Sequence, residues 1–275
     1  MARPRRRRKS RPQGSLGLLP GIALIALALI AAAGFAYVYL TAERPPALDT
    51  ATLCPQGGPH STTVVLVDAS DDLPAPAKRE LATLLQDIAE DLPAYALLDI
   101  RVLDPANNSS RSLVALCNPG DGRGLSTWTA NPVLARKRWL ESFHKPVLEA
   151  IDQGLAAGHA DYSPIMAAIQ GIAIDRFTGK AVASGDKKLI IISDMIEHDS
   201  DYSQYAGDLT FDRYKRSPAY KKFSTDLHGA EVSIEYVQRL MKHPLDSVAH
   251  IRFWKEWIRD NDGHLRDVTR LQGAG

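Results

Sequence analysis

Three kinds of apolar pattern run along this chain, and each predicts a different element. The first is one long block: residues 16–40 contain no charge over 25 positions. At about 1.5 Å per helical residue, such a block exceeds the ~30 Å hydrocarbon core of a bilayer. The second is a set of short, β-branched runs, "TTVVLVD" (62–68), "YALLDIRVL" (95–103), "SLVALC" (112–117), "KKLIIIS" (187–193) and "AEVSIEYVQR" (230–239). Continuous runs of this length read as strands buried on both faces. The third is spacing by three and four, which predicts amphipathic helices. Residues 76–92 carry Leu81, Leu84, Leu85, Ile88 and Leu92 in this way, and Pro93 ends the helix. Asn131-Pro132 opens a helix by the rule of a capping residue followed by a first-turn proline. It runs through Trp139, Leu140 and Phe143, is interrupted at Pro146, and resumes to about residue 155. Ser163-Pro164 opens another, carrying Ile165, Ile169, Ile172 and Ile174, and residues 246–260 form the last. The segment 195–229 lacks a period and predicts irregular chain with one helix after Ser217-Pro218.

Buried strands alternating with helices imply an α/β class, a doubly wound and mostly parallel sheet with helices on both faces. Runs 95–103 and 112–117 are close enough in sequence to pair as an antiparallel edge. The domain order is then a tail (1–15), a transmembrane helix (16–40), a linker (41–61) rich in Pro, Gly, Ser and Thr, and a globular domain (62–275).

Charge changes the picture at the N-terminus. Residues 1–15 hold seven of the 33 Lys and Arg and no acid, leaving 26 basic against 32 acidic residues in the remainder. Basic residues beside an apolar span stay on the cytoplasmic side, so the body is exported. A signal peptide has an apolar region of roughly 7–15 residues, shorter than this one, so a retained anchor is expected. Tyr37 and Tyr39 sit where interfacial aromatics belong. Gly17 and Gly21 form a G-x-x-x-G, a weak signal for helix pairing. The arginines are accounted for by topology and anionic lipid, and nucleic acid is not an expected ligand. Both cysteines, Cys54 and Cys117, fall in the exported part, where one disulfide is natural if their elements are neighbours.

Two apolar runs end in an aspartate, Asp68 and Asp194. Ligands of open parallel sheets bind beyond the carboxyl ends of the strands, where the winding direction switches. If the two strands are neighbours, the carboxylates share one crevice and repel, and a hard divalent cation relieves them. Ser70, Asp71, Asp72 and Ser193 add oxygen donors nearby.

In these residues the chain resembles a von Willebrand factor A (vWA)-type domain over roughly residues 62–260. That resemblance implies a metal-ion-dependent adhesion site holding magnesium, or else manganese or calcium. The family's Asp-x-Ser-x-Ser loop would be Asp68-Ala69-Ser70-Asp71-Asp72, in which Asp72 replaces the second serine. Its threonine falls near Ser163, and its late aspartate at Asp194. The family often fills an open metal position with a partner's carboxylate. An acid at position 72 would supply that charge internally, which implies either weaker partner capture through the metal or a different metal.

A second class is a metal-dependent phosphohydrolase with Asp68 as nucleophile, as in haloacid-dehalogenase-like enzymes. Those need an acid where this chain has Ser70. A third is a structural domain with a relic site. His198, four residues after Asp194, is the one histidine expected near the crevice. "FDRYKRSPAYKKF" (211–223) places Arg213, Tyr214, Lys215, Arg216, Lys221 and Lys222 together, either as a recognition surface or as a solvated face with its aromatics turned inward. The expectation is a non-enzymatic interaction module of a cell-envelope assembly with another envelope protein as partner. Its expected site is the bacterial inner membrane, N-terminus cytoplasmic and domain periplasmic.

Overall fold

The computed structural model describes residues 18–41, 46–69, 75–125, 127, 130–156, 160–179, 185–237 and 245–271. The chain divides into two compact units, 1–46 and 47–275. In the first, the apolar block is one helix, α1 (Leu18–Thr41), whose residues 20–41 have a mean hydropathy of 2.4. It is long and apolar enough to cross a membrane.

In the second unit, β1 (Thr62–Val67) leads through α2 (Ala75–Asp91) to β2 (Leu97–Asp104) and β3 (Ser109–Cys117). A three-part helix follows: α3 (Pro132–Trp139), a π turn over 140–144, and α4 (Lys145–Gly154). Pro146 lacks the N–H that the α ladder needs. The expected interruption is taken up by the π turn just before it, and the helix continues. Then come α5 (Ile165–Ile172), β4 (Lys187–Ser193), two short helices α6 (Phe211–Lys215) and α7 (Pro218–Lys222), β5 (Glu231–Tyr236), α8 (Ser247–Asp260) and β6 (His264–Arg270). The segment 195–229 therefore holds α6 as well as the one helix expected after Ser217-Pro218.

The six strands lie in the order β3-β2-β1-β4-β5-β6. Every adjacent pair is parallel except β2 with β3, which forms the antiparallel edge. At the β2–β3 turn Asp104 caps a single 3-10 turn and Asn108 takes a left-handed φ of 51°, which asparagine tolerates. Side chains of β1 alternate between two cores, as a strand's period of two requires. Val64 and Leu66 pack with Ile165, Ile169, Phe253, Trp254 and Trp257 on one face. Val65 and Val67 pack with Leu81, Leu85, Trp139, Phe143 and Val147 on the other. Helices thus cover both faces, which explains why β1 is buried at all six positions.

β6 has no counterpart among the sequence expectations. It is a mostly exposed edge strand with charges along it, and a register shift opposite Val232/Ser233 breaks its alternation. Charged edges deter further strand pairing, and they also erase the apolar signal.

Of the expected linker, residues 47–61 belong to the globular unit. Cys54 and Cys117 are joined in a disulfide with Cα atoms 4.8 Å apart. The Cys117 N–H donates to Thr52 O at 2.8 Å, and the His60 N–H to Tyr95 O at 3.0 Å.

Candidate functional site

β1 and β4 are hydrogen-bonded neighbours running in parallel, and β1 is where the sheet order reverses. Chain leaves β1 towards β2 on one side and reaches β4 on the other. The two carboxyl ends therefore open onto one crevice. Asp68 and Asp194 both lie in it, each only 3% exposed. The Asp68 N–H donates to Ile192 O at 2.9 Å, which ties its backbone to the end of β4.

Two hydroxyls converge on one Asp68 oxygen. Ser193 Oγ donates to Oδ2 at 2.8 Å and Ser163 Oγ at 3.1 Å. Ser193 ends β4, and Ser163 precedes α5. Ser163 is held there by a two-bond bridge with His198: its N–H donates to His198 O at 2.9 Å, and His198 N–H to Ser163 O at 3.1 Å. Asp194 Oδ1 accepts from the Ile196 N–H at 2.9 Å. Burial pushes the Asp194 carboxyl up to about 7, and the neighbouring charge of Asp68 adds to the rise.

The sequence reading thus brings Asp68, Ser163 and Asp194 to one place, with Ser193. Ser70 and Asp72 lie outside the described residues. His198 is at the rim, as expected, stacked on Tyr162 (5.4 Å between centroids) and edge-on to Tyr205 (5.3 Å). The Tyr205 hydroxyl is pushed up by burial and by the charges of Asp194 and Asp68. The basic segment divides by burial. Tyr214 is buried in the core, where it accepts from Trp257 Nε1 at 3.0 Å, so it is no contact for a partner. Arg213 lies over Tyr202 and donates to Asp208 O; Lys215 reaches Asp260 at 3.8 Å; Lys222 pairs with Asp201. Arg216, Lys221 and Lys222 are exposed.

Several residues around the crevice escaped sequence reasoning. Glu197 is fully buried and its Oε2 accepts from the Met166 N–H at 2.8 Å, in the first turn of α5. Burial holds that carboxyl well above its ordinary range. Met195 has a φ of 61°, a left-handed conformation that costs a side-chain-bearing residue on the order of 1–3 kcal/mol. Its carbonyl is clamped from α8 by Trp254 Nε1 at 2.7 Å and His250 Nε2 at 2.9 Å. With Nε2 facing a carbonyl, the neutral ring carries its proton there, and Nδ1 accepts from the Tyr236 hydroxyl at 3.1 Å. Burial lowers His250 to about 4. His250, Phe253, Trp254 and Trp257 share one helix face, a spacing visible in the sequence.

The described donors are two carboxylates and two hydroxyls, hard oxygen ligands that suit magnesium, manganese or calcium better than a soft metal. Among the described residues no cluster of three or more His, Cys, Asp or Glu gathers as a metal site. Among the described residues, a cation here would rest on Asp68, Asp194 and Ser163.

No protein-family model matches the chain, and no curated protein sequence matches it. Solved structures do align. An aerotolerance-related membrane protein from Bacteroides fragilis is 12% identical, with 77% of this chain and 92% of that chain covered and a TM-score of 0.38. A von Willebrand factor type A protein from Catenulispora acidiphila is 13% identical, with 78% and 39% covered and a TM-score of 0.41. The VWA domain of SpRpn10 is 12% identical, with 78% and 89% covered and a TM-score of 0.41. The chain's own sheet, doubly wound and parallel but for one antiparallel edge pair, is of the α/β class expected; likenesses this distant add nothing about ligand or partner.

Proposed function

We propose that this chain is a membrane-anchored, vWA-like interaction module of a cell-envelope assembly, whose crevice between β1 and β4 takes a divalent cation that assists capture of another envelope protein. One observation carries the reading: Asp68 and Asp194 are buried side by side at the carboxyl ends of adjacent parallel strands. Burying two carboxylates together is costly unless one keeps its proton or a cation lies with them. Asp68, Asp194 and Ser163 would hold magnesium, with Ser70 and Asp72 as further candidates. The ion would offset both charges and leave a coordination position for an oxygen of the partner. Tyr162, His198 and Tyr205 rim the crevice with aromatic surface, the residue type that anchors interfaces.

The bacterial inner membrane, with the N-terminus cytoplasmic and the domain periplasmic, is supported by α1, by the seven basic residues before it and by a disulfide in the exported unit. A phosphoryl-accepting role for Asp68 is disfavoured. Both serine hydroxyls converge on Oδ2, and Ser70 stands where such enzymes need an acid.

The test is thermal unfolding of the full chain in detergent, with chelator or with magnesium or manganese. A cation that binds only the folded state stabilises by about 2.7 kcal/mol at a hundred times its dissociation constant. The expected gain is lost in Asp68→Ala. A gain that survives Asp68→Ala, or none at millimolar cation, sinks the cation reading.

A further inference from the structure

A groove of about 870 Å³ runs between residues 205–212 and α8, within the roughly 300–1,000 Å³ of ordinary ligand sites. Its floor is apolar. Phe211 and Phe253 meet edge-to-face there at 5.8 Å and are both buried, so the core fixes their position. Leu209 and Leu245 continue the floor. Its walls are acidic. Asp208, Asp212, Asp246 and Glu256 line it against a single cation, Arg252. Arg252 and Glu256 stand four residues apart on α8, yet among the described residues neither they nor Asp212 make an ion pair. Four carboxylates against one guanidinium leave an excess of three negative charges around an aromatic floor.

Two of the carboxylates are already oriented by the backbone. Asp208 Oδ1 accepts from the Thr210 N–H at 2.9 Å. Asp246 Oδ1 caps α8, accepting from the Val248 N–H at 2.9 Å and the Ala249 N–H at 3.2 Å. Groups held in place beforehand lose little freedom when a ligand binds. The groove is also continuous with the crevice. Tyr205, 55% exposed, lines the groove and meets His198 edge-on at the crevice rim. α8 serves both places: His250 and Trp254 clamp the Met195 carbonyl beside the crevice, while Arg252, Phe253 and Glu256 face the groove.

We propose that this groove takes a basic, extended segment of the partner protein. Its Lys or Arg side chains lie against Asp212 and Glu256, an apolar residue rests on Phe211 and Phe253, and a further cation meets the exposed ring of Tyr205. Charge complementarity selects this occupant: the walls repel an acidic segment and attract a basic one, which also speeds encounter. The inference rests on the interaction-module reading and names the chemistry that the partner brings beside the crevice; it needs no cation in the crevice itself.

The test is fluorescence anisotropy of a fluorescein-labelled peptide of alternating Arg and Leu, titrated with the full chain in uncharged detergent, with chelator and with magnesium. The expected result is binding that a Glu-Leu peptide of the same length does not show. Asp212→Lys with Glu256→Lys weakens it by about tenfold or more, since two ion pairs give way to repulsion. Asp87→Lys with Asp152→Lys makes the same change of net charge on α2 and α4, which cover the opposite face of the sheet, and leaves binding within about twofold. Asp212→Asn with Glu256→Gln keeps the side-chain shapes and gives a smaller loss in the same direction, which holds the test open if the lysine pair fails to fold. Equal weakening by the two lysine pairs leaves only bulk charge and overturns the proposal, as does no binding below millimolar peptide. Self-association of the chain that Asp212→Lys with Glu256→Lys breaks, with no peptide bound, overturns it in favour of a second copy, docked through Arg136, Lys137 and Arg138. Peptide binding that disappears with chelator belongs to the crevice and overturns the groove. Binding that persists in chelator, while magnesium gives no thermal stabilisation, removes the cation reading and leaves the groove standing.

Discussion

Replacing Asp194 with asparagine is expected to stabilise the chelated protein at neutral and alkaline pH. Asp194 is 3% exposed, and its carboxyl is raised from 3.8 to about 7, first by burial and then by the charge of Asp68. A rise of roughly three units corresponds to about 4 kcal/mol. The folded chain keeps this proton to about pH 7, while the unfolded chain releases it near pH 4. Between those values the folded state binds more protons, so stability falls as pH rises, and the loss is complete above about pH 7. Asparagine has no charge to bury and retains an oxygen for the Ile196 N–H. The variant should match the parent near pH 4 and exceed it at pH 8 by up to about 4 kcal/mol, a large share of a typical 5–15 kcal/mol. Glu197 and His250 titrate in the same background, but they are common to both chains and cancel in the difference. Urea unfolding of the full chain in detergent, with chelator, at a series of pH values gives that difference directly. A variant no more stable than the parent at pH 8 would refute the account of two crowded carboxyls. So would a difference that does not grow between pH 4 and 7.

His250 should stay neutral to about pH 4, visible as a late-titrating imidazole in NMR spectra. Its folded value lies below the unfolded one, so its contribution is complete above about pH 6.5 and about 3 kcal/mol is lost as pH falls through 4; an imidazole titrating near 6.5 refutes its burial against Met195. Cys54 and Cys117 enclose a sequence separation of 63, so replacing both with serine should cost about 4 kcal/mol by chain entropy. A loss well under 1 kcal/mol in denaturant unfolding would mean the N-terminal stretch contributes little to the fold.

Much of the fold was legible because burial on both faces leaves an unbroken β-branched signature. β1, β4 and the hairpin of β2 with β3 fall within a few residues of where the patterns place them. The helix start at Asn131-Pro132 rests on local capping and proline geometry, with Asn131 accepting from the Leu134 N–H; at Ser163-Pro164 the expected serine cap is absent, because α5 starts after Pro164 with no side-chain cap and the Ser163 hydroxyl donates to Asp68 instead. β6 was not legible, because a polar edge strand exists only through its pairing with β5. The site was legible in part for the same reason. An aspartate at the end of a buried strand is at a carboxyl end by local geometry, so Asp68 and Asp194 could be singled out. Glu197 and His250 could not, since each owes its role to a distant element, the start of α5 and the strained carbonyl of Met195.

The sequence by itself determined the apolar helix, the basic tail, the α/β class and the two aspartates, all of which follow from composition and from short periods along one stretch of chain. Only the tertiary structure decided that β1 and β4 are neighbours, because strand order arises from long-range packing that no local period encodes. From that order come the shared crevice, the raised carboxyl of Asp194 and the two serines donating to Asp68.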